Sequence, residues 1–170
     1  MKKFIGILLV FFALQIGAAA QDYSIPAYRA TGYKGNVSVT SLGLYWNGLE
    51  TSHGYMFNDM VYLGAGAGVF FGVIEEFSLA TRVFAEFEGY WLHRKSTLTT
   101  KVRAGYLRNF RGEGNIFNGE LTLGWSWAVG SYGLSLDVGM SALVPTNMVL
   151  ASVNWPEISL APVVSLSFEF

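Results

Sequence analysis

The sequence predicts an all-β protein, an eight-stranded antiparallel up-and-down barrel that crosses a membrane once a signal peptide has been cleaved. Apolar and polar residues alternate through most of the chain after residue 20, and a period of two is the period of β-strands. Charged residues make up 14% of the chain, well below the roughly 25% of ordinary soluble domains. Many of the glycines share the polar faces, as expected where long charged side chains must fit into a narrow barrel interior.

The first twenty residues have the pattern of a secretory signal peptide. Lys2 and Lys3 form a basic start, residues 4–17 are apolar, and three alanines at residues 18–20 form a small-residue cleavage site. A retained transmembrane helix is disfavoured because the apolar stretch is short and no charged stop follows it. We therefore expect residues 1–20 to be removed and residues 21–170 to form a single transmembrane barrel domain.

The first two predicted strands cover residues 33–46 and 49–57. Asn47-Gly48 separates them, and this dipeptide is typical of a two-residue hairpin turn. The faces of both strands mix apolar and polar residues, so the pattern does not assign an inside and an outside here.

The third predicted strand covers residues 60–73 and contains Gly64, Gly66 and Gly68 at a spacing of two. The stretch is shorter than the roughly 18–20 residues of a membrane-spanning helix. A dinucleotide-binding G-x-G-x-x-G loop would need glycine at Val69 or Phe71, so that motif is absent. The spacing favours a strand.

Five further strands alternate more regularly, at residues 78–91, 97–107, 119–128, 131–143 and 157–170. From the second strand onward, short and long connections alternate. This is typical of outer-membrane barrels, which have short periplasmic turns and longer outer loops. The Asn47-Gly48 turn is the exception, because it would lie outside.

The apolar faces are predicted to point outward, into lipid, rather than inward as in a soluble sandwich or lipocalin-like barrel. The predicted strands reach the about 9–11 residues that a tilted membrane strand needs. Aromatic residues gather near strand ends on the apolar face, as in the girdles at the two membrane interfaces. They are Tyr33, Trp91, Tyr106, Trp127, Tyr132, Phe168 and Phe170.

The polar faces are expected to meet in the lumen as a structural ion-pair network. If Arg94-Lys95 form the tip of their turn, Glu88 lies opposite Lys101 and Glu86 lies opposite Arg103. Such a network predicts a plugged lumen that does not conduct. Its expected members are Arg82, Glu86, Glu88, Lys101, Arg103, Glu120 and Asp137.

His53, in the stretch ETSHG, is the residue to consider first as a catalytic base. A Ser–His–acid site needs its side chains within hydrogen-bond reach, but neighbours on a strand point to opposite faces. Glu50 and Ser52 therefore lie on the other face, and only Thr51 shares the face of His53. A catalytic role would need a carboxylate from a neighbouring strand near the outer rim, and we assign no catalytic residue.

No cofactor or metal site is expected. The chain has two histidines and no cysteine, and its loop carboxylates are too sparse for a calcium loop. A net charge of −1 does not indicate nucleic-acid binding.

The alternation of Leu166, Phe168 and Phe170 at the end of the chain resembles the assembly signal of outer-membrane barrel proteins. The mature chain resembles small eight-stranded barrels of the OmpA transmembrane-domain kind. The stretches GYKGNVSV, ETSHGYMFN and YLGAGAGV are similar to stretches of uncharacterised small outer-membrane proteins from Gram-negative gut anaerobes. The resemblance implies the outer membrane of a Gram-negative bacterium, with membrane lipid and the barrel-assembly machinery as partners, and implies no defined activity.

The leading functional hypothesis is a non-enzymatic integral outer-membrane barrel with a structural or surface-interaction role. Three alternatives stay open at this point: a lipid-acting outer-membrane enzyme, a small-solute pore, and a secreted soluble barrel that binds an apolar ligand. The sequence does not identify an extracellular partner for the long loops.

Overall fold

A computed structural model describes residues 29, 31–43, 45–72, 78–92, 94–110, 115–129, 132–145 and 158–170. The predicted signal peptide, residues 1–20, lies outside the described residues. Within them, no helix is long and apolar enough to cross a membrane.

The described chain forms one closed eight-stranded barrel. Each strand pairs antiparallel with its neighbours in sequence, and the eighth strand pairs antiparallel with the first. The predicted fold class, an eight-stranded antiparallel up-and-down barrel, is therefore confirmed. The strands are β1 (Gly32–Leu42), β2 (Trp46–Met56), β3 (Val61–Gly72), β4 (Ser78–Tyr90), β5 (Ser96–Asn109), β6 (Asn115–Val129), β7 (Tyr132–Pro145) and β8 (Ser159–Glu169).

The prediction for the first hairpin turn was wrong. Asn47-Gly48 lies inside β2, and the chain turns between Leu42 and Trp46, which are opposed across the two strands. Gly43 has a φ of 66°, in the left-handed region that glycine adopts without steric cost. The turn is therefore earlier than predicted, and β2 begins three residues sooner.

Gly48 is a packing glycine rather than a turn glycine. It faces the lumen, where an added Cβ would lie 2.6 Å from the ring of Phe70 on β3. Only a residue without a side chain leaves room for that ring. The same residue type therefore serves a tertiary contact that a local turn signal does not reveal.

The two ends of the barrel differ in their connections. We call one end the hairpin end: there residues 57–60, 91–95 and 130–131 connect strands, and the chain enters β1 and leaves β8. At the opposite end, the loop end, residues 43–45, 73–77, 110–114 and 146–158 make the connections. The predicted alternation of short and long connections is not regular, because residues 73–77, 91–95 and 110–114 are equally long, but the longest connection, residues 146–158, is at the loop end.

The barrel is apolar outside and polar inside. On β6, Leu123 is 51% exposed on the outer surface, whereas its neighbour Thr122 is 1% exposed and faces the lumen. The predicted faces of this strand are thus confirmed. The same alternation runs along the other strands, so the polarity is the reverse of that in a soluble barrel.

Two apolar layers cross the lumen near its ends. The loop-end layer consists of Leu42, Phe70, Ala80, Leu107 and Val163. Met56, Tyr62 and Tyr90 form a smaller cluster towards the hairpin end. Between these layers the interior is charged.

Candidate functional site

The candidate site is the charged interior, which we call the lumen network. The structure places all seven predicted members inside the barrel, each at most 3% exposed. It adds three residues that the sequence analysis did not assign to the network: Lys34, Glu50 and Glu169. These ten side chains come from seven strands, β1, β2 and β4 to β8.

The part of the network nearer the loop end is a closed ring of ion pairs. Arg82 Nη1 lies 3.1 Å from Glu50 Oε1, and Arg82 Nη2 lies 2.9 Å from Glu120 Oε2. Arg103 Nη1 lies 3.3 Å from the second oxygen of Glu50 and 3.3 Å from Glu120 Oε1. Two arginines and two glutamates therefore alternate around the lumen. Arg103 Nε also donates to Glu86 Oε2 at 2.5 Å.

The part nearer the hairpin end is a linear chain of ion pairs. Lys101 Nζ lies 2.7 Å from Asp137 Oδ2 and 3.4 Å from Glu88 Oε1. The other oxygen of Glu88 accepts from Lys34 Nζ at 2.7 Å, and Lys34 lies 3.4 Å from Glu169 Oε2. The chain runs from β7 through β5, β4 and β1 to β8, so it also spans the barrel.

The register between β4 and β5 is the one predicted from the short turn. Glu86 is opposite Arg103, and Glu88 is opposite Lys101. Side chains two residues apart on a strand share a face, so both opposed pairs point into the lumen.

Neutral side chains donate further hydrogen bonds to the carboxylates. Thr40 Oγ1 donates to Glu50 Oε2 at 2.8 Å. Ser52 Oγ and Asn36 Nδ2 both donate to Glu86 Oε1, at 3.1 and 3.2 Å. A buried charge is tolerated only when it is paired and hydrogen-bonded, and these contacts supply the second requirement.

A glycine makes room for the ring of ion pairs. An added Cβ at Gly68 would lie 2.6 Å from Cγ of Glu50 on the neighbouring strand. Gly68 therefore has the role expected from the sequence, since a long charged side chain of the adjacent strand lies over it.

Glu50 was not predicted to face the lumen, because the sequence pattern indicated a turn at Asn47-Gly48 and did not assign the faces of the first two strands. A usable signal was present. Glu50, Ser52 and Gly54 alternate with outward residues of β2. Lys34 begins a similar alternation on β1.

The hairpin-end mouth of the lumen is filled by Tyr90 and Arg29. The Arg29 guanidinium lies over the Tyr90 ring at 4.1 Å from its centroid, and Arg29 Nη2 donates to Ser126 Oγ at 2.8 Å. Lys34 Nζ donates to the Tyr90 hydroxyl, which itself lies 3.3 Å from Glu169 Oε2. The mouth is thus joined to the lumen network.

His53 lies on the outer surface, hydrogen-bonded to two hydroxyl groups. Thr51 Oγ1 donates to the carbonyl of Asn36 at 2.9 Å and lies 3.1 Å from His53 Nε2. Because the hydroxyl has one proton, its oxygen accepts from Nε2–H. The Tyr33 hydroxyl then donates to Nδ1 at 2.6 Å. In this arrangement the histidine donates to Thr51 rather than taking its proton.

His53 is opposite Gly35, towards the hairpin end, and its ring contacts Phe170. Among the described residues, its hydrogen-bond partners are hydroxyl groups rather than carboxylates. The described residues contain no group of three or more side chains suited to hold a metal ion.

Comparisons with known proteins identify the fold. No protein-family model matches the chain, and no curated protein matches its sequence. The structure is similar to the neisserial surface protein A (NspA), with 13% identity, 82% of this chain and 94% of that chain covered, and a TM-score of 0.52. The N-terminal β-barrel domain of Pseudomonas aeruginosa OprF also matches, with 8% identity, 83% and 100% coverage, and a TM-score of 0.49. The likeness to NspA and the closed eight-stranded topology show that the chain has the fold of the small eight-stranded outer-membrane β-barrels, as its sequence pattern predicted.

Proposed function

We propose that the chain is an integral outer-membrane barrel of a Gram-negative bacterium, non-enzymatic and with a plugged lumen, that has a structural or surface-interaction role. The observation that carries this proposal is the reversed polarity of the barrel. The ten charged side chains of the lumen network are buried inside it, whereas large apolar side chains are exposed around the outside.

The outer surface supports a membrane location. Exposed apolar area costs roughly 25 cal/mol per Å² in water, and contiguous apolar patches larger than a few hundred Å² are typical of membrane or partner surfaces. The strands have 11 to 15 residues, enough to cross a bilayer when tilted. Closure of β8 on β1 pairs backbone groups that would be costly to expose to hydrocarbon.

The connections support an orientation. Outer-membrane barrels have short periplasmic turns and longer outer loops, so the loop end is proposed to face the outside, where a surface partner would bind. In the same proposal, residues 1–20 direct export and residues 21–170 form the barrel domain. Leu166, Phe168 and Phe170 form the assembly signal, and the partners are outer-membrane lipid and the barrel-assembly machinery.

Three barriers in series support a plugged lumen. A hydrated ion that entered at the loop end would meet the loop-end apolar layer, then the ring of ion pairs, then the linear chain of ion pairs. The side chains of the ring and the chain are each at most 8% exposed. Passage would require breaking charge pairs that hold one another across the barrel. The small-solute pore is the alternative that this arrangement disfavours.

The surroundings of His53 support the absence of enzymatic activity. A histidine that activates a hydroxyl must accept its proton, but the Thr51 hydroxyl donates to a backbone carbonyl instead. Glu50 and Ser52 point into the lumen and join the network there.

The proposal is tested in two steps. Fractionated cells should retain the protein in the membrane until detergent is added, and the extracted protein should migrate faster on a gel before boiling than after. Purified protein should then give no steady channels in planar bilayers. Release without detergent would contradict the membrane location, and stable, reproducible conductance would contradict the plugged lumen.

A further inference from the structure

The seam between β1 and β8 has the shortest paired stretch in the barrel, residues 36–42 against 163–169. Its lumen face has two contacts that depend on register, Thr40 with Ser165 at 3.0 Å and Lys34 with Glu169 at 3.4 Å, but the pair between them is less specific. On the lumen side, Ser38 is opposite Ser167, and neither hydroxyl has a hydrogen-bond partner in the protein. Small hydroxyl side chains of this kind would fit almost as well after a shift of two residues.

The outer side of the seam contains a shape-specific contact. Gly35 exchanges two backbone hydrogen bonds with Phe170, at 2.8 and 2.9 Å. Gly35 is buried, although Tyr33 and Val37 on the same outer face are exposed. The Phe170 ring covers it: an added Cβ would lie 2.7 and 2.8 Å from Cε2 and Cζ of that ring, and 3.2 Å from His53 Nδ1.

The Phe170 ring also belongs to a row of rings that crosses the seam. It stacks with Phe168 at a centroid distance of 6.5 Å, and Phe168 stacks with Tyr132 of β7 at 5.6 Å. On the other side it meets the His53 ring edge-on at 6.3 Å, and His53 stacks with Tyr33 at 6.0 Å. The row connects β7 and β8 with β1 and β2.

We propose that Gly35 and His53 form a seat for the Phe170 ring, and that filling this seat sets the register of the β1–β8 seam and holds the barrel closed. A shift of two residues would put Phe168 opposite Gly35 and move Phe170 towards Tyr33, which has a side chain where Gly35 has none. The seat, together with the Tyr33 side chain beside it, therefore discriminates between registers that the Ser38–Ser167 pair does not.

The seat predicts that substitutions at Gly35 and Phe170 are energetically coupled. The atoms nearest an added Cβ at Gly35 are at the far end of the Phe170 ring, so the ring can swing away while the backbone stays in place. Gly35→Ala should then cost about what Phe170→Ala costs, and the two losses should not add.

The first test is a double-mutant cycle on the protein refolded from urea in detergent micelles. Gly35→Ala and Phe170→Ala should each raise the unfolding equilibrium constant about two- to tenfold, as expected for a lost aromatic contact. The double variant should be no less stable than Phe170→Ala alone. Gly119→Ala is the matched control, because Gly119 is also on the outer face and an added Cβ there meets nothing within 4 Å.

The proposed seat would be contradicted by losses of stability that add in the double variant, or by a Gly35→Ala variant as stable as Gly119→Ala. Should Gly35→Ala fail to refold, the double variant decides. The proposal requires that removing the Phe170 ring brings folding back to the Phe170→Ala level, and continued failure would overturn it.

The second test measures register directly. Val39 is opposite Leu166 and the chain has no cysteine, so Val39→Cys with Leu166→Cys reports the native seam through a disulfide. The cross-link should form efficiently after refolding when residue 35 is glycine, and its yield should fall at least severalfold in the Gly35→Ala background. An equal yield in both backgrounds would overturn the role of the seat in setting register.

Discussion

Arg103→Ala should be among the most destabilising single substitutions in the barrel. Arg103 pairs with Glu50, Glu86 and Glu120. Arg82 still pairs with Glu50 and Glu120 in the variant, but Glu86 loses its direct contact with Arg103 and keeps the hydrogen bonds from Ser52 and Asn36. Leaving one buried charge unpaired costs about 3–5 kcal/mol, so we expect a loss of that size in the free energy of unfolding.

The control for Arg103→Ala is Arg108→Ala on the same strand, because Arg108 is exposed on the outer face. Surface substitutions of that kind usually stay within about 0.5 kcal/mol. Adding Glu86→Gln to Arg103→Ala removes the unpaired charge and should recover part of the stability. Urea unfolding in detergent micelles, followed by tryptophan fluorescence and by heat-dependent gel migration, measures these differences.

Two results would refute this reasoning. One is an Arg103→Ala variant that loses no more stability than Arg108→Ala, which would mean that water screens the interior charges. The other is a further loss of stability when Glu86→Gln is added, because the second change should relieve a charge and not remove a useful one.

Three further predictions concern the outer and inner faces of the barrel. Leu123→Arg should make the free energy of folding into lipid vesicles less favourable by about 2–4 kcal/mol, the cost of an arginine near the midplane. A Leu123→Arg variant that folds as well as Leu123→Ala would show that this surface is not in lipid. Phe170→Ser should lower the amount of assembled barrel in cell membranes, measured by unboiled gel migration, and unchanged amounts would contradict an assembly role. Gly68→Val should displace Glu50 and cost about 1–3 kcal/mol as an overpacked site, whereas Gly119→Val should be nearly neutral in the same urea titration.

For most strands, the side chains that face the lumen and those that face outward could be predicted from the sequence, because strand alternation is a local property. Successive side chains point to opposite faces whatever the rest of the chain does, so Arg82, Glu120 and Asp137 were assigned to the interior without knowledge of their partners. The register of Glu86 and Glu88 against Lys101 and Arg103 was also predictable, since a short connection leaves few ways to pair its two strands.

The first hairpin shows where local signals failed. Asn47-Gly48 has the composition of a tight turn, but Gly48 is needed because the Phe70 ring lies against it. The sequence pattern is the same in both cases. Only the packing of β3 against β2 distinguishes a glycine required by backbone conformation from one required by space.

The sequence by itself determined the strand number, the reversed polarity and seven of the ten charges in the lumen network, because these follow from periodicity and composition. Only the tertiary structure decided which charges meet between strands that are distant in the sequence. Glu50 joins Arg82 and Arg103 across separations of 32 and 53 residues, and Lys34 reaches Glu88 across 54. Those pairings depend on closure of β8 on β1, which brings all eight inner faces within side-chain reach of one another, and no local pattern in the chain encodes that distance.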